Sequence, residues 1–197
     1  DQKTKLNLQW SGISYINPNV EISKKYPNLT KLEPYLRKLV TNKLKELDNL
    51  TYNLNITPSG SFRDGSLAML LAIDSESITK LNKRVVNTDK CFNSYYISMQ
   101  LIIFDPSNSS ILQIIPFNMR RPYLDDNTCS SNAKLDLFRF AQFILNLDIY
   151  DKNEQQSYLN KSDNKMIESL MKRSEENDSF LNPDSYFNPI LSSISRL

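Results

Sequence analysis

Residues 95–117, YYISMQLIIFDPSNSSILQIIPF, hold two apolar runs around a polar break. Tyr95, Ile97, Met99, Leu101 and Ile103 fall on one side of a strand, with Tyr96, Ser98, Gln100, Ile102 and Phe104 on the other. Asp105-Pro-Ser-Asn-Ser-Ser110 has turn chemistry, and Ile111–Phe117 returns, so the stretch predicts a β-hairpin.

Upstream, Leu6, Leu8 and Trp10 alternate in a strand over Lys5–Trp10, and Tyr52, Leu54 and Ile56 alternate in another. Between them lies a polar segment with Pro18 and Pro27, expected as a long loop. Leu32, Tyr35, Leu36, Leu39, Val40 and Leu47 then recur at three- and four-residue spacing, which predicts an amphipathic helix over Lys31–Leu47. Thr30 and Glu33 have capping-box spacing, with Pro34 in the first turn. Turn residues at Pro58–Gly60 and Asp64-Gly65 predict that the chain reverses before Ser66–Asp74, a run apolar enough for a strand buried on both faces.

Downstream, a loop is expected over Arg120–Ser131. Lys134–Leu147 is apolar almost all round, with Asp136, Arg139, Gln142 and Asn146 as a narrow polar stripe, the pattern of a helix packed into a core against a sheet. Lys161–Glu176 is a mostly charged helix with one apolar patch, Met166, Ile167, Leu170 and Met171. The order strand, helix, four strands, helices predicts an α+β fold, a two-layer sandwich of one mostly antiparallel sheet with helices on one face. Residues 1–150 are expected to form the core, and residues 151–197 a helix and tail that pack on it or dock a partner.

The composition excludes more than it establishes. The 197 residues include no His, three Gly, two Cys and a near-balance of 24 Lys+Arg against 22 Asp+Glu. Absent histidine removes Ser-His-Asp catalysis and His-based metal sites, and glycines at 12, 60 and 65 alone cannot form a Walker loop or dinucleotide fingerprint. Two cysteines cannot supply a four-thiolate centre. A net charge of +2 with only short basic pairs lacks the basic stripe of a nucleic-acid binder. No apolar run approaches the ~20 residues that span a bilayer. Abundant Asn, Lys, Ile and Ser fit an AT-rich coding sequence. The first residue is Asp1, as expected if an upstream segment has been removed, so a missing leader does not argue for the cytosol. Cys91 and Cys129 flank the hairpin. They are expected as a disulfide, which fits an oxidising compartment, or as two buried thiols.

Few residues offer chemistry. Asp74 and Glu76 stand two apart at a strand end, which predicts carboxylates on one face about 7 Å apart, the separation of an inverting glycosidase; the same pattern is also that of a solvated edge. Asp125, Asp126 and Asn127 resemble a cation loop but lack EF-hand spacing. Ser59, Ser61 and Ser66 have no accompanying base and read as turn residues. Six Asn-x-Ser/Thr sites begin at Asn28, Asn49, Asn55, Asn108, Asn160 and Asn177, little above what the Asn and Ser/Thr content gives by chance. Tyr15, Tyr26 and Tyr123 are aromatic loop residues that anchor an interface or plug the core edge. In the tail, Phe187, Ile190, Leu191 and Ile194 have helical spacing, as a segment folded over its own core or as a docking helix.

The 95–117 hairpin, together with LEPYLRKLVTNKLKELDNL and the following TYNLNIT, resembles a group of bacterial envelope domains. The group includes the N-terminal domain of the TolB translocation protein, the curli-secretion channel subunit, flagellar-ring assembly proteins and ABC-transport auxiliary lipoproteins. The similarity is one of pattern, from Leu6 to about Leu147; the lipidated N-terminal Cys of the lipoprotein members has no counterpart. It implies a non-enzymatic, periplasmic or otherwise exported accessory or assembly factor, without cofactor or metal. Its partner would be another envelope protein or a homo-oligomer, and not nucleic acid. Arg120, Arg121, Tyr123, Phe187, Ile190, Leu191 and Ile194 are the expected partner-binding residues. The alternatives are a hydrolase using Asp74 and Glu76, or a secreted surface glycoprotein of a eukaryotic parasite.

Overall fold

The 95–117 hairpin is the middle of a much longer one. A computed structural model describes residues 5–17, 21–56, 62–182 and 184–197. In chain order the elements are β1 (Asn7–Tyr15), α1 (Ile22–Lys25), α2 (Leu29–Lys45), β2 (Asn53–Asn55), β3 (Leu67–Val85), β4 (Thr88–Asp105), β5 (Ser110–Asp125), α3 (Ala133–Leu145), α4 (Lys152–Leu159), α5 (Asp163–Asn177), a 3-10 turn (Ser179–Leu181) and α6 (Asn188–Ser195). The sheet order is β2-β1-β3-β4-β5. The long pairs β3–β4 and β4–β5 are antiparallel, while β1 pairs parallel with both β2 and β3. With the helices on one face, this is the α+β sandwich expected from the order of elements.

The chain does not reverse before β3, because β1 lies between β2 and β3 and all three run the same way. A tight turn does precede β3, with Ser66 N–H donating to the Arg63 carbonyl and Gly65 at φ +77°, but it joins no antiparallel pair. The Pro58–Gly60 turn, Ser59, Ser61, Pro18 and Pro183 lie outside the described residues. Within the expected loop before α2, the chain forms the single turn α1.

β4 has 18 residues, about 60 Å of extended chain at ~3.3 Å per residue, against a radius of gyration of roughly 16 Å for a domain this long. The sheet therefore curls, and its far end overhangs the helical layer. Two irregularities help bend it, one between Ile73 and Ser75 on β3 and one opposite Ile103/Phe104 on β5. Beyond Ile78 the residues of β3 are mostly exposed on both faces, so no alternation marks them as strand. The turn joining β3 to β4 is two residues, Val86 and Asn87, at φ 46° and 61°. Positive φ at both positions is the type I′ geometry that suits a twisted hairpin, normally written Asn-Gly.

The core lies between the inner sheet face and the helices. Met69, Leu71, Ile73, Tyr95, Ile97, Met99 and Leu101 are buried against Leu32, Leu36 and Val40 of α2 and the apolar sides of α3. The tail joins the same cluster through Phe187, Ile190, Leu191 and Ile194, all buried, and the Tyr52 hydroxyl donates to the Ile194 carbonyl at 2.5 Å. These four side chains hold the tail to the domain. They are not the face of a docking helix, because α6 turns its apolar side inward.

A β-branched residue at positive φ is strained. Val86→Asn is expected to stabilise the fold by about 1 kcal/mol and to raise Tm by roughly 2–4 °C, measured by thermal unfolding against wild type.

Candidate functional site

β5 does not end at Phe117, so Arg120, Arg121 and Tyr123 are strand residues and not the expected loop. Alternation then divides them between the two faces. Arg120 pairs with Tyr96 on the outer face, where its guanidinium donates to Ser94 Oγ at 2.5 Å. Arg121 and Tyr123 point inward with Met119 and Asp125, beneath α3. Arg121 is buried and donates to the carbonyls of Gln142 at 3.2 Å and Leu147 at 2.9 Å, with Asp148 completing its shell. It closes the C-terminus of α3, a structural duty that removes it from any partner surface.

The polar stripe of α3 meets these residues. Tyr95 donates to Asp136 at 2.6 Å, and the Ile149 N–H donates to Gln142 Oε1 at 3.1 Å. Arg139 forms a two-pronged pair with Asp125, whose other partner is Asn93 Nδ2 at 2.6 Å. Tyr123 is held between two cations, with Arg121 5.2 Å and Arg139 5.0 Å from its ring centre. Burial drives the Tyr95 and Tyr123 hydroxyls far above the ordinary tyrosine range, so both stay protonated donors.

Above this floor opens a polar cleft of about 680 Å³, walled by the end of β5, the connection to α3, and α4. The Cys91–Cys129 disulfide forms its rim. Two hydrogen bonds reinforce it: Asn82 Oδ1 accepts from the Cys129 N–H at 2.6 Å, and Lys80 Nζ donates to the Ser130 carbonyl at 2.7 Å. Tyr150, Lys152 and Gln156 stand at the opposite side. The carboxylates suspected as a cation loop are already engaged, Asp125 by Arg139 and Asp126 by Lys90 at 2.8 Å and Lys152 at 3.9 Å. Lys90 first, then Lys152, holds Asp126 below the usual carboxylate range. Among the described residues, no three His, Cys, Asp or Glu side chains converge as a metal site. Nor is any described helix long and apolar enough to cross a membrane.

Asp74 and Glu76 do not form a catalytic pair. The irregularity at Ile73/Ser75 sets Asp74 and Ser75 together opposite Ser98, so strict alternation fails. Asp74 therefore sits on the outer face, accepting from Ser98 Oγ at 3.4 Å, while Glu76 aligns with Ile97 on the core face. There its carboxylate accepts from the N–H groups of Asn28 at 2.8 Å and Leu29 at 3.0 Å, at the start of α2. This contact from another element replaces the expected Thr30/Glu33 capping box and lets the helix begin at Leu29, leaving Pro34 in its second turn. Tyr26 is likewise structural: it is buried, its hydroxyl donates to the Asp74 carbonyl at 2.7 Å, and its ring packs on Tyr15.

The outer face carries what the sequence pattern did not show. Leu81, Phe92 and Leu124 are adjacent across β3, β4 and β5, all three exposed on the overhanging end, and Lys83 Nζ lies 6.0 Å from the Phe92 ring centre. They lie on three successive strands, and only the register brings them into one row.

No known family matches the sequence, and no curated protein matches it. Among solved structures, the chain is similar to a neuraminyllactose-binding hemagglutinin homolog from Helicobacter pylori, with a TM-score of 0.41 and 9% identity over 99% of this chain and 91% of that one. It is also similar to a hypothetical protein from Chlamydia trachomatis, with a TM-score of 0.35 and 12% identity over 60% of this chain and 73% of that one. A third is rare lipoprotein B from Shewanella oneidensis, with a TM-score of 0.29 and 12% identity over 86% and 98%.

Two outcomes are expected from these contacts. Burial pushes Glu76 up from 4.5 to about 7, against the pull of the Asn28 and Leu29 N–H groups. The folded state thus holds this proton more tightly than the unfolded one, so stability is full below the unfolded pKa and falls as pH rises through about 7. Denaturant titrations at pH 4.5 and 8 should show a loss on the order of 2 kcal/mol that Glu76→Gln abolishes. Reducing Cys91–Cys129, which closes a 38-residue separation, should cost about 2–4 kcal/mol, read as a lower midpoint with reductant and reproduced by the Cys91→Ser/Cys129→Ser double variant.

Proposed function

We propose that this chain is an exported, disulfide-braced binding domain of a bacterial envelope, an accessory or assembly factor that docks another envelope protein through the overhanging end of its sheet. The row Leu81–Phe92–Leu124 carries the reading. Three large apolar side chains exposed side by side on a rigid surface are what a protein interface uses at its centre, with polar groups around them. Val86 at the tip of the same hairpin is 91% exposed, and Arg120 lies on the same face one pair beyond Pro122.

The bracing supports the same reading. A hairpin that extends past its helical layer would fray, and the disulfide with the Lys80 and Asn82 contacts ties it to the connection before α3. A disulfide in so small a domain belongs to an oxidising compartment. Against catalysis stand the separation of Asp74 from Glu76 and the neutralisation of Asp125 and Asp126 by their cations.

A photo-crosslinking amino acid at Leu124, in cells or in an envelope fraction, should yield one discrete adduct. The same group at Lys172, on the exposed face of α5, should not. Phe92→Ala should weaken the Leu124 adduct at least tenfold without lowering Tm by more than a few degrees. Equal adducts at both positions, or none at Leu124, would overturn the proposal.

A further inference from the structure

We infer that the opening segment of β5, Ser110–Ile115, pairs edge to edge with the same segment of a second copy, making a two-fold dimer with a continuous ten-stranded sheet. This surface lies at the end of β5 away from the Leu81–Phe92–Leu124 row and does not depend on that reading.

Among the described residues, β5 has a neighbour on one side only, β4, so its outer backbone groups are unpaired. Sheet edges of this length are normally blunted by charge or proline. From Pro116 onward β5 has such protection in Pro116, Pro122, Arg120 and Arg121. The opening segment, Ser110-Ile-Leu-Gln-Ile-Ile115, has neither charge nor proline. Ile111 is 60% exposed, Leu112 55% and Ile114 48%, beside half-buried Leu70, Ile102 and Phe104 of the outer face.

The occupant follows from charge and register. Antiparallel self-pairing sets a segment against its own copy, so any charge within it comes near its like. From Asp105 to Met119 the only charged residue is Asp105, in the turn outside the pairing segment, and no Lys or Arg is present to draw the strand toward an anionic membrane. Pairing Ser110 with Ile115, Ile111 with Ile114 and Leu112 with Gln113 of the second copy ends before Pro116. This register also matches faces. The irregularity at Leu112 sets both Ile111, opposite Phe104, and Ile114, opposite Ile102, on the outer face. Residues that meet across the two-fold then point the same way, and the apolar strips of the two copies join.

The assembly closes at two. The opposite edge, β2, has only three residues, Asn53–Asn55, and offers no comparable run to continue a chain of copies. An isologous contact consumes the exposed edge of both partners.

Sedimentation equilibrium of the oxidised chain should show a monomer–dimer equilibrium, and hydrogen exchange of the Ser110–Ile115 amides should slow as concentration rises. Ile114→Lys should raise the dimer Kd at least tenfold, with Tm within about 2 °C of wild type, since this side chain is half exposed. A Lys172→Glu control should leave Kd unchanged. A chain that stays monomeric through the millimolar range would overturn the inference. So would a dimer whose Ser110–Ile115 amides exchange at the monomer's rate, or a monomer that co-sediments with phosphatidylcholine or phosphatidylglycerol vesicles through this segment.

Discussion

A helix buried on every side can keep polar side chains only if the surface opposite completes their hydrogen bonds. α3 is such a helix: Asp136, Arg139 and Gln142 are buried along with the phenylalanines between them. Their partners are Tyr95 on β4, Asp125 at the end of β5, and the backbone N–H of Ile149 beyond the helix. Among the described residues no buried side-chain nitrogen or oxygen lacks a partner. Removing Asp125 would leave a buried guanidinium uncompensated, a cost of several kcal/mol. The stripe therefore fixes how far β5 must run, which of its residues face inward, and where α3 lies along the sheet. The cleft, its rim and the overhanging strands all follow from that placement.

The other long-range constraint acts at the opposite side of the sheet. One extra residue at Asp74 shifts the alternation of β3 and delivers a carboxylate to the first free N–H groups of α2. What reads as a pair of acids is one outer-face residue and one helix cap. The same local device on β5, at Leu112, turns two isoleucines to one side of an unguarded edge. In both places a single residue out of step decides which face carries the chemistry.

Much of this was legible in the sequence. The hairpin, the amphipathic α2, the all-round apolar α3 and the apolar patch of α5 follow from spacing, because burial on one face imposes a period of two or 3.6 whatever the neighbours are. The short α4 and the ends of β3, β4 and β5 were not legible. Their residues are exposed on both sides or carry weak patterns, and a Val-Asn turn has no glycine to announce it. The candidate site suffered most. Arg121 and Tyr123 read as loop residues in the sequence, whereas the strand continues through them, and the row Leu81–Phe92–Leu124 exists only through register.

The amino-acid sequence by itself determined the class of the fold, the identity of its core and the chemistry it forbids, since composition and periodicity are local properties. It left open the state of Cys91 and Cys129 and the roles of Asp74 and Glu76. Only the tertiary structure joined the two cysteines, sent the two acids to opposite faces, and buried the tail that could have served as a docking helix. The physical reason is the same in each case. Whether a side chain binds, caps or packs depends on which surface it meets, and these surfaces come from segments 24 to 142 residues away.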